Sequence, residues 1–294
     1  MIRKVLFIVN PVAGGGKTLG VLPLIEKRMK ENSINYKIIM TQGPRDATKI
    51  AEENVEKFTT IVAVGGDGTV NEVAKGLINK RMGTLAILPC GTGNDFGRVV
   101  GIPNEPEKAI DVLLHNNVKT IDIGKINGYS FLNIASFGFD TEVVIQTNKI
   151  KKRIKNQFSY LLGVLATLVY YKRRQRGIII DGVEYNRNLV LLAVGNGRFY
   201  GGGLEILPMA KMDDENLHIC LIKDLSNLKI LALFPSIFKA QHIKYKKYVE
   251  IYKAKKVILK NNENININID GEIVPIEGNI IFEIDNFKLN VIFS

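Results

Sequence analysis

Cysteine and histidine are scarce in this chain of 294 residues, and acids are outnumbered by bases. Cys90 and Cys220 lie far apart with no Cys-x-x-Cys partner, which argues against a zinc-thiolate site or a disulfide framework and suits a reducing cytosol. The three histidines, His115, His218 and His242, fit no triad or metal-ligand spacing, so each is expected in a core or surface position. Long apolar runs are missing too: Tyr160 to Tyr171 is about a dozen residues, against the roughly 20 that a bilayer-spanning helix needs. The apolar start, Ile2 to Val9, ends at Asn10-Pro11 without a cleavage site and reads as a first strand, not as a signal peptide, so the protein is expected in the cytoplasm. No internal repeat is present, and the Asn/Ile alternation before Asp270 reads as an ordinary strand.

The acid deficit, 29 Asp and Glu against 40 Lys and Arg, leaves a formal charge of +11. Such a charge serves nucleic acid, an anionic membrane or a polyphosphate ligand. No RNP, zinc-finger or helix-turn-helix pattern accompanies it, so nucleic acid is not an expected partner. One basic cluster (Lys149, Lys151, Lys152, Arg153, Lys155) precedes the Tyr160–Tyr171 run, and Lys172, Arg173, Arg174 and Arg176 close it. The run reads in two ways: as a helix lying at an anionic membrane interface, at about 1 kcal/mol per nearby basic residue, or as a buried helix packed on a sheet with solvated ends. A second cluster, Phe238 to Lys256, reads as a solvated strand or helix face.

With 46% hydrophobic residues the chain can bury one or two cores, and its length favours two domains. Up to about residue 124, apolar strands alternate with helical stretches, which means βαβ units and a parallel sheet. After that point strands dominate, joined by turns such as Asn127-Gly128 and Asp181-Gly182. The predicted fold class is α/β followed by all-β. A parallel-sheet nucleotide domain (1–124) precedes an antiparallel β-sandwich (125–294), and the place of the last strand, near Phe287 to Phe293, is left open.

The most informative stretch is Gly65-Gly66-Asp67-Gly68-Thr69-Val70-Asn71, which follows the apolar strand TTIVAV. Glycines there let peptide N–H groups face an anion, Thr69 can cap the next helix, and the helix dipole favours negative charge. Asp67 repels phosphate unless it holds a cation or orients a hydroxyl, which suggests a metal–nucleotide complex. The alternative is a plain tight turn with Asp67 as a local cap. Two further glycine loops miss the standard templates. In the first, Pro11 stands where a Walker A loop has glycine, although Gly14-Gly15-Gly16-Lys17 follows. In the second, Cys90-Gly91-Thr92-Gly93-Asn94-Asp95-Phe96-Gly97, Phe96 breaks the dinucleotide fingerprint.

In their order, Asn10-Pro11, GGDGT, PCGTGNDF, Phe131-Leu132-Asn133, Gly138-Phe139-Asp140, Gly195-Asn196-Gly197, Gly201-Gly202-Gly203, Asp213-Asp214-Glu215 and Asp270-Gly271-Glu272 resemble the diacylglycerol kinase catalytic domain family of bacterial lipid kinases. The likeness spans essentially the whole chain and extends more distantly to sphingosine, ceramide and NAD kinases. It implies an active site in a cleft between the two domains. ATP is implied to be held by Asn10, Pro11, Val12, Ala13, Gly14, Thr41, Gly65 to Asn71 and Thr92, with Mg²⁺ on Asp67. Glu272 is implied as general base, supported by Asp95 and Asp122, although Asp95 also reads as a helix cap and Glu272 as a surface residue after a hairpin turn. A structural Mg²⁺ is implied on the Asp214 carboxylate and the backbone carbonyls of Lys211 and Asn216, although Glu215 stands where the family usually has glycine.

The function so implied is ATP-dependent phosphorylation of a neutral lipid hydroxyl, foremost that of diacylglycerol, by a cytoplasmic protein working peripherally at the inner face of an anionic membrane. A homodimer is compatible with this reading. Alternatives are a kinase for another lipid alcohol, an NAD kinase, and a catalytically silent lipid-binding regulator.

Overall fold

The computed structural model describes residues 4–151, 159–171 and 174–294, which divide into two compact units: Met1–Ile123 with Asp285–Ser294, and Gly124–Ile284. Ile2 and Arg3 of the expected first strand, and Lys152, Arg153, Lys155, Lys172 and Arg173 of the expected basic cluster, lie outside the described residues.

In the first unit β1 (Lys4–Val9), α1 (Lys17–Glu31), β2 (Asn35–Met40), α2 (Asp46–Asn54), β3 (Thr60–Gly65), α3 (Asp67–Lys80), β4 (Thr84–Pro89), α4 (Asp95–Val99), α5 (Pro106–His115) and β5 (Val118–Ile121) follow in order. Val5 to Val9 and Thr60 to Gly65 are buried throughout, as expected of parallel strands covered on both faces. β2 is only half-buried and forms one edge of the sheet. The order is β2-β1-β3-β4, then the C-terminal strand Leu289–Ile292, then β5. The question left open by the sequence is thus answered: the final strand joins the first unit, parallel to β4 and antiparallel to β5. The connection after β1 leads to one side of it and the next returns to the other, so the order in which strands are added reverses between the parallel strands β1 and β3. Ligands of open α/β sheets bind beyond the carboxyl ends of strands at such a point.

The second unit contains β6 (Gly124–Ile126), β7 (Tyr129–Phe131), β8 (Ile134–Gly138), α6 (Phe139–Lys151), α7 (Ser159–Tyr170), β9 (Arg174–Ile180), β10 (Val183–Gly195), β11 (Leu217–Lys223), α8 (Asn227–Leu233), β12 (Val249–Ala254), β13 (Lys256–Leu259), β14 (Asn264–Ile269), β15 (Glu272–Glu277) and β16 (Ile280–Ile284). Their antiparallel pairing links eleven strands in one network. Residues from strands along that network, among them Phe131, Leu192, Ile219, Val257, Ile267 and Phe282, meet in a single apolar core, so the sheet folds over itself in the manner of a sandwich. The hairpin turns Asn127-Gly128, Asp181-Gly182 and Asp270-Gly271 all take positive φ at both residues, the backbone that a two-residue hairpin requires.

A second core lies on the other face of β10. An irregularity in the β10–β11 register between Leu189 and Leu191 turns Val190 and Leu191 alike toward α6, α7 and α8. Of the two readings of Tyr160–Tyr171, neither is complete. Val164 and Leu168 of α7 are buried in this core, yet Leu162, Leu165 and Val169 face outward, Val169 at 72% exposure.

Candidate functional site

Three loops meet at the carboxyl ends of β1, β3 and β4. The Asn10 N–H donates to the Val64 carbonyl at 3.1 Å, and the Cys90 N–H to the Gly65 carbonyl at 2.8 Å. Asn10 also brackets its own loop: its Oδ1 accepts the Val12 N–H at 3.2 Å, its carbonyl accepts the Thr18 hydroxyl at 2.8 Å, and its Nδ2 donates to Thr69 Oγ1 at 3.2 Å. Gly14 has φ 59° and rests so closely on the Cys90 carbonyl that a Cβ there would collide with it. A Cβ on Gly66 would lie 3.1 Å from the Gly91 Cα, so the second and third loops also touch backbone to backbone. Burial pushes the Cys90 thiol up against the opposing charge of Lys17, which keeps it a packing group between loops.

The helix start differs from the sequence expectation. α3 begins at Asp67 with Gly66 at its cap, so Thr69 lies inside the first turn, where its hydroxyl serves Asn10 and does not cap. The Thr69 and Val70 N–H groups return to the Gly66 carbonyl at 2.9 and 3.1 Å, so Asp67 and Gly68 amides are the first-turn donors that lack an intrahelical acceptor. Gly68 is exposed, with open space where a side chain would be. Asp67 Oδ1 accepts the Phe96 N–H at 3.2 Å, which fixes the carboxylate against the start of α4. Val70 is buried and Asn71 half-buried along α3.

Thr41 is buried just past β2, its N–H donating to the Val9 carbonyl at 2.9 Å. The loop after it is held by a residue that sequence reading passed over. Glu72 Oε1 accepts the Arg45 N–H at 3.0 Å and Oε2 the Ala47 N–H at 3.2 Å, so a side chain from α3 caps α2. The signal for it was present: Glu72 directly follows GGDGTVN. Pro11 is half-buried, Val12 and Thr92 are exposed on their loops, and Ala13 opens a short 3₁₀ turn. Asp95 is buried and pairs with Arg98 at 3.0 Å, while Asn94 occupies the cap position. Asp122 is fully buried within 3.2 Å of Lys288 Nζ, an ion pair inside the first unit.

In the second unit, Glu272 is exposed at the start of β15, directly after the Asp270-Gly271 turn. Asp270 does structural work: its carboxylate accepts the N–H groups of Leu132 at 2.6 Å, Asn133 at 3.0 Å and Ile134 at 2.8 Å. That contact explains why Phe131-Leu132-Asn133 and Asp270-Gly271-Glu272 occur together. Asn268 Oδ1 accepts the Gly271 N–H at 2.9 Å and completes the turn. Asp140 is buried beside Ser136, Thr141 and Asn268; burial raises its carboxyl to about 6, against those hydrogen bonds. Asp140 also lines a narrow apolar cavity of about 60 Å³, walled by Phe139, Val143, Leu191, Ile222, Ile230 and Phe234.

Comparison with known proteins decides the family. Residues 4–126 match the family described as the diacylglycerol kinase catalytic domain, and residues 133–292 match the one described as the YegS C-terminal NAD kinase beta sandwich-like domain. The chain belongs to the diacylglycerol kinase family. It is 28% identical over 274 residues to a diacylglycerol kinase of Staphylococcus carnosus (strain TM300), spanning 92% of this chain and 89% of that protein. Against a diacylglycerol kinase of Staphylococcus aureus (strain MRSA252) the identity is 29%, spanning 92% and 87%. The crystal structure of a diacylglycerol kinase from Bacillus anthracis str. Sterne superposes with a TM-score of 0.74 at 27% identity, over 99% of this chain and 97% of that one. An NAD kinase from Archaeoglobus fulgidus in complex with ATP gives 0.53 at 14% identity over 99% and 93%, a likeness of fold alone. Use of ATP follows from membership in this kinase family.

In the loop for which the diacylglycerol kinase resemblance implied a structural Mg²⁺, the one carboxylate ligand, Asp214, is already paired with cationic and N–H groups. Asp214 Oδ2 lies 3.0 Å from Lys253 Nζ and 3.2 Å from His218 Nε2, and Oδ1 accepts the Asn216 N–H at 3.2 Å. Asn216 Nδ2 donates to the Asp214 carbonyl, and the Lys211 N–H points at His218 Nε2 at 3.3 Å. Burial alone would raise the Asp214 carboxyl. Hydrogen bonding from Lys253, with the charges of His218 and Lys253, outweighs burial and holds it below the usual carboxylate range. Among the described residues no group of three or more His, Cys, Asp or Glu side chains could hold a metal ion.

Proposed function

We propose that the chain is an ATP-dependent lipid kinase that phosphorylates a neutral lipid hydroxyl, that of diacylglycerol foremost, giving phosphatidic acid. The observation that carries this reading is the convergence of three glycine loops and one oriented carboxylate, Asp67, at the carboxyl ends of β1 and β3, where the order of strand addition reverses. The amides of Asp67 and Gly68, with the loops at Asn10 to Gly14 and at Thr92, cradle the nucleotide phosphates, and Thr41 approaches from β2. Asp67 would hold the Mg²⁺ that arrives with the nucleotide, as a carboxylate suits a hard cation. When bound, that ion supplies charge neutralisation on the phosphate oxygens.

Glu272 takes the proton of the acceptor hydroxyl as that oxygen bonds to the γ-phosphorus. The bond from this phosphorus to the bridging oxygen breaks, and ADP leaves with the electron pair. Asp95, tied to Arg98, and Asp122, tied to Lys288, act by positioning. The apolar cavity of the second unit receives part of an acyl chain, with Asp140 and His242 among the polar groups in its wall.

Such a substrate resides in a bilayer, and no helix among the described residues is long and apolar enough to cross one. The exposed side chains Leu165 and Val169 of α7 stand near Leu228 of α8, because Asn227 Nδ2 donates to the Leu168 carbonyl at 2.6 Å. Lys229, Lys244, Lys246 and Lys247 lie along the same stretch of chain, so this face docks peripherally on an anionic bilayer at the inner membrane surface. Incubation of the purified protein with Mg-ATP, a mixed lipid extract and NAD tests the whole reading. Phosphatidic acid is the expected product, and NADP or no product would overturn it. An Asp67→Asn variant is expected to lose about 10²–10³ in kcat.

A further inference from the structure

The acidic loop of the second unit already contains a cation of its own. β11 and β12 pair with His218 opposite Lys253, so the Lys253 side chain rises beside the loop that precedes β11. Its ammonium lies 3.0 Å from Asp214 Oδ2. In the bend just past β12, Lys255 Nζ donates to the Glu215 carbonyl at 2.6 Å and lies 3.9 Å from the Glu215 carboxylate. Glu215 has φ 56°, a left-handed conformation that glycine would adopt without strain, and in it the carbonyl meets Lys255. The other Asp214 oxygens are engaged by the Asn216 amide groups.

The Asp214 carboxylate is the one side-chain ligand that the resemblance implies for a divalent ion at this loop. Mg²⁺ demands near-octahedral oxygen ligands at roughly 2.0–2.1 Å and is bound through carboxylates, carbonyls and water. Here both Asp214 carboxylate oxygens, the Asp214 carbonyl and the Glu215 carbonyl are met by N–H or ammonium donors, and a second cation beside Lys253 would face a like charge. Lys253 is half exposed, so the pair needs no dry interior to persist, and it joins β12 to the loop as a metal ion would. We infer that Lys253, assisted by Lys255, replaces the structural divalent cation in this chain, so that the second unit is built without metal and the only Mg²⁺ the protein requires is the one that enters with nucleotide. The binding side of this inference stands apart from the kinase reading; its kinetic consequence, indifference to free Mg²⁺ once the nucleotide is loaded, rests on that reading.

The test uses the purified full chain without nucleotide, stripped with EDTA and dialysed against Mn²⁺ as a paramagnetic probe for Mg²⁺. Electron paramagnetic resonance should find no Asp214-dependent bound ion in the wild type, and the thermal midpoint should be equal in EDTA and in millimolar Mg²⁺. Lys253→Met frees the Asp214 oxygens, so it should bind one Mn²⁺ per chain that Lys253→Met with Asp214→Asn does not bind, and Mg²⁺ should raise its midpoint. Lys253→Gln, which keeps a hydrogen-bond donor but no charge, serves if the Met variant fails to fold. A tightly held Mn²⁺ in the wild type that Asp214→Asn abolishes would overturn the inference, and so would folded Lys253 variants that stay metal-free. In the kinetic arm, activity at fixed Mg-ATP should not change as free Mg²⁺ rises; activation there would overturn the inference, whereas absence of any phosphorylated lipid would count against the kinase reading and leave the Mn²⁺ result standing.

Discussion

The Asn10 side-chain amide donates to the Thr69 hydroxyl at 3.2 Å, bridging 59 residues of chain. The bond clamps the loop after β1 onto the first turn of α3 and sets where the amides of both can meet a phosphate.

Asn10→Ala removes that bond and the acceptor for the Val12 N–H. Each is a partly exposed hydrogen bond, with a net contribution of about 1 kcal/mol. Loosened loops should raise KM for ATP by about 5- to 30-fold, since ~1.4 kcal/mol corresponds to tenfold. Steady-state kinetics with varied ATP checks this, and an unchanged KM would show that the clamp does not position the nucleotide.

Asp270 and Glu272 are neighbours with different work, and two substitutions separate them. Glu272→Gln should lower kcat by about 10²–10⁴ with no loss of thermal stability, because the side chain is exposed and its role is proton transfer. Asp270→Ala leaves three backbone N–H groups of Leu132, Asn133 and Ile134 without their acceptor and should cost about 2–4 kcal/mol of stability. Urea denaturation beside the kinase assay distinguishes the two effects.

Asp140 sets a pH dependence whose sign follows from burial. Its carboxyl is raised from 3.8 to about 6 in the folded protein, so between those values the folded state binds more protons than the unfolded one. The contribution is therefore complete at pH values below about 4 and is lost as pH rises through about 6, by an amount on the order of 2–3 kcal/mol. Relative to Asp140→Asn, the wild type should lose stability between pH 4 and 7. Unfolding curves of both proteins across that range measure the difference, and parallel curves would refute the assignment.

Leu228 is 81% exposed on α8, and Leu228→Asp places a charge where the membrane face is proposed. Binding to phosphatidylglycerol vesicles in a sedimentation assay should fall about 10- to 150-fold, matching the roughly 1.5–3 kcal/mol for burying a leucine. Activity on a short-chain, water-dispersed diacylglycerol should fall less than activity on vesicles. Equal losses would place Leu228 outside any membrane contact.

Much of the first unit was legible because its signals are local. Buried parallel strands read as continuous apolar runs, and GGDGT announced a strand-to-helix turn. What stayed illegible there depended on partners: Glu72 caps α2 from 25 and 27 residues away, and α3 starts two residues before the Thr69 cap that the sequence suggested. In the second unit Pro275 lies within β15 and is tolerated because β15 is an edge strand and Pro275 is exposed. The apolar cavity could not be read at all, since α6, β10, β11 and α8 build it together.

By itself the sequence determined the alternation of strands and helices, the change to β structure near residue 124, the glycine loops and the Asp-Gly and Asn-Gly hairpins, all of which are set by torsional preference and by apolar spacing within a few residues. Only the tertiary structure decided that the last strand enters the first sheet, that Asp270 serves backbone groups up to 138 residues away, and that Lys253 meets Asp214 across a strand pair. Those outcomes depend on which distant segments lie side by side, and hydrogen-bond satisfaction and charge pairing across such contacts leave no periodic trace along the chain.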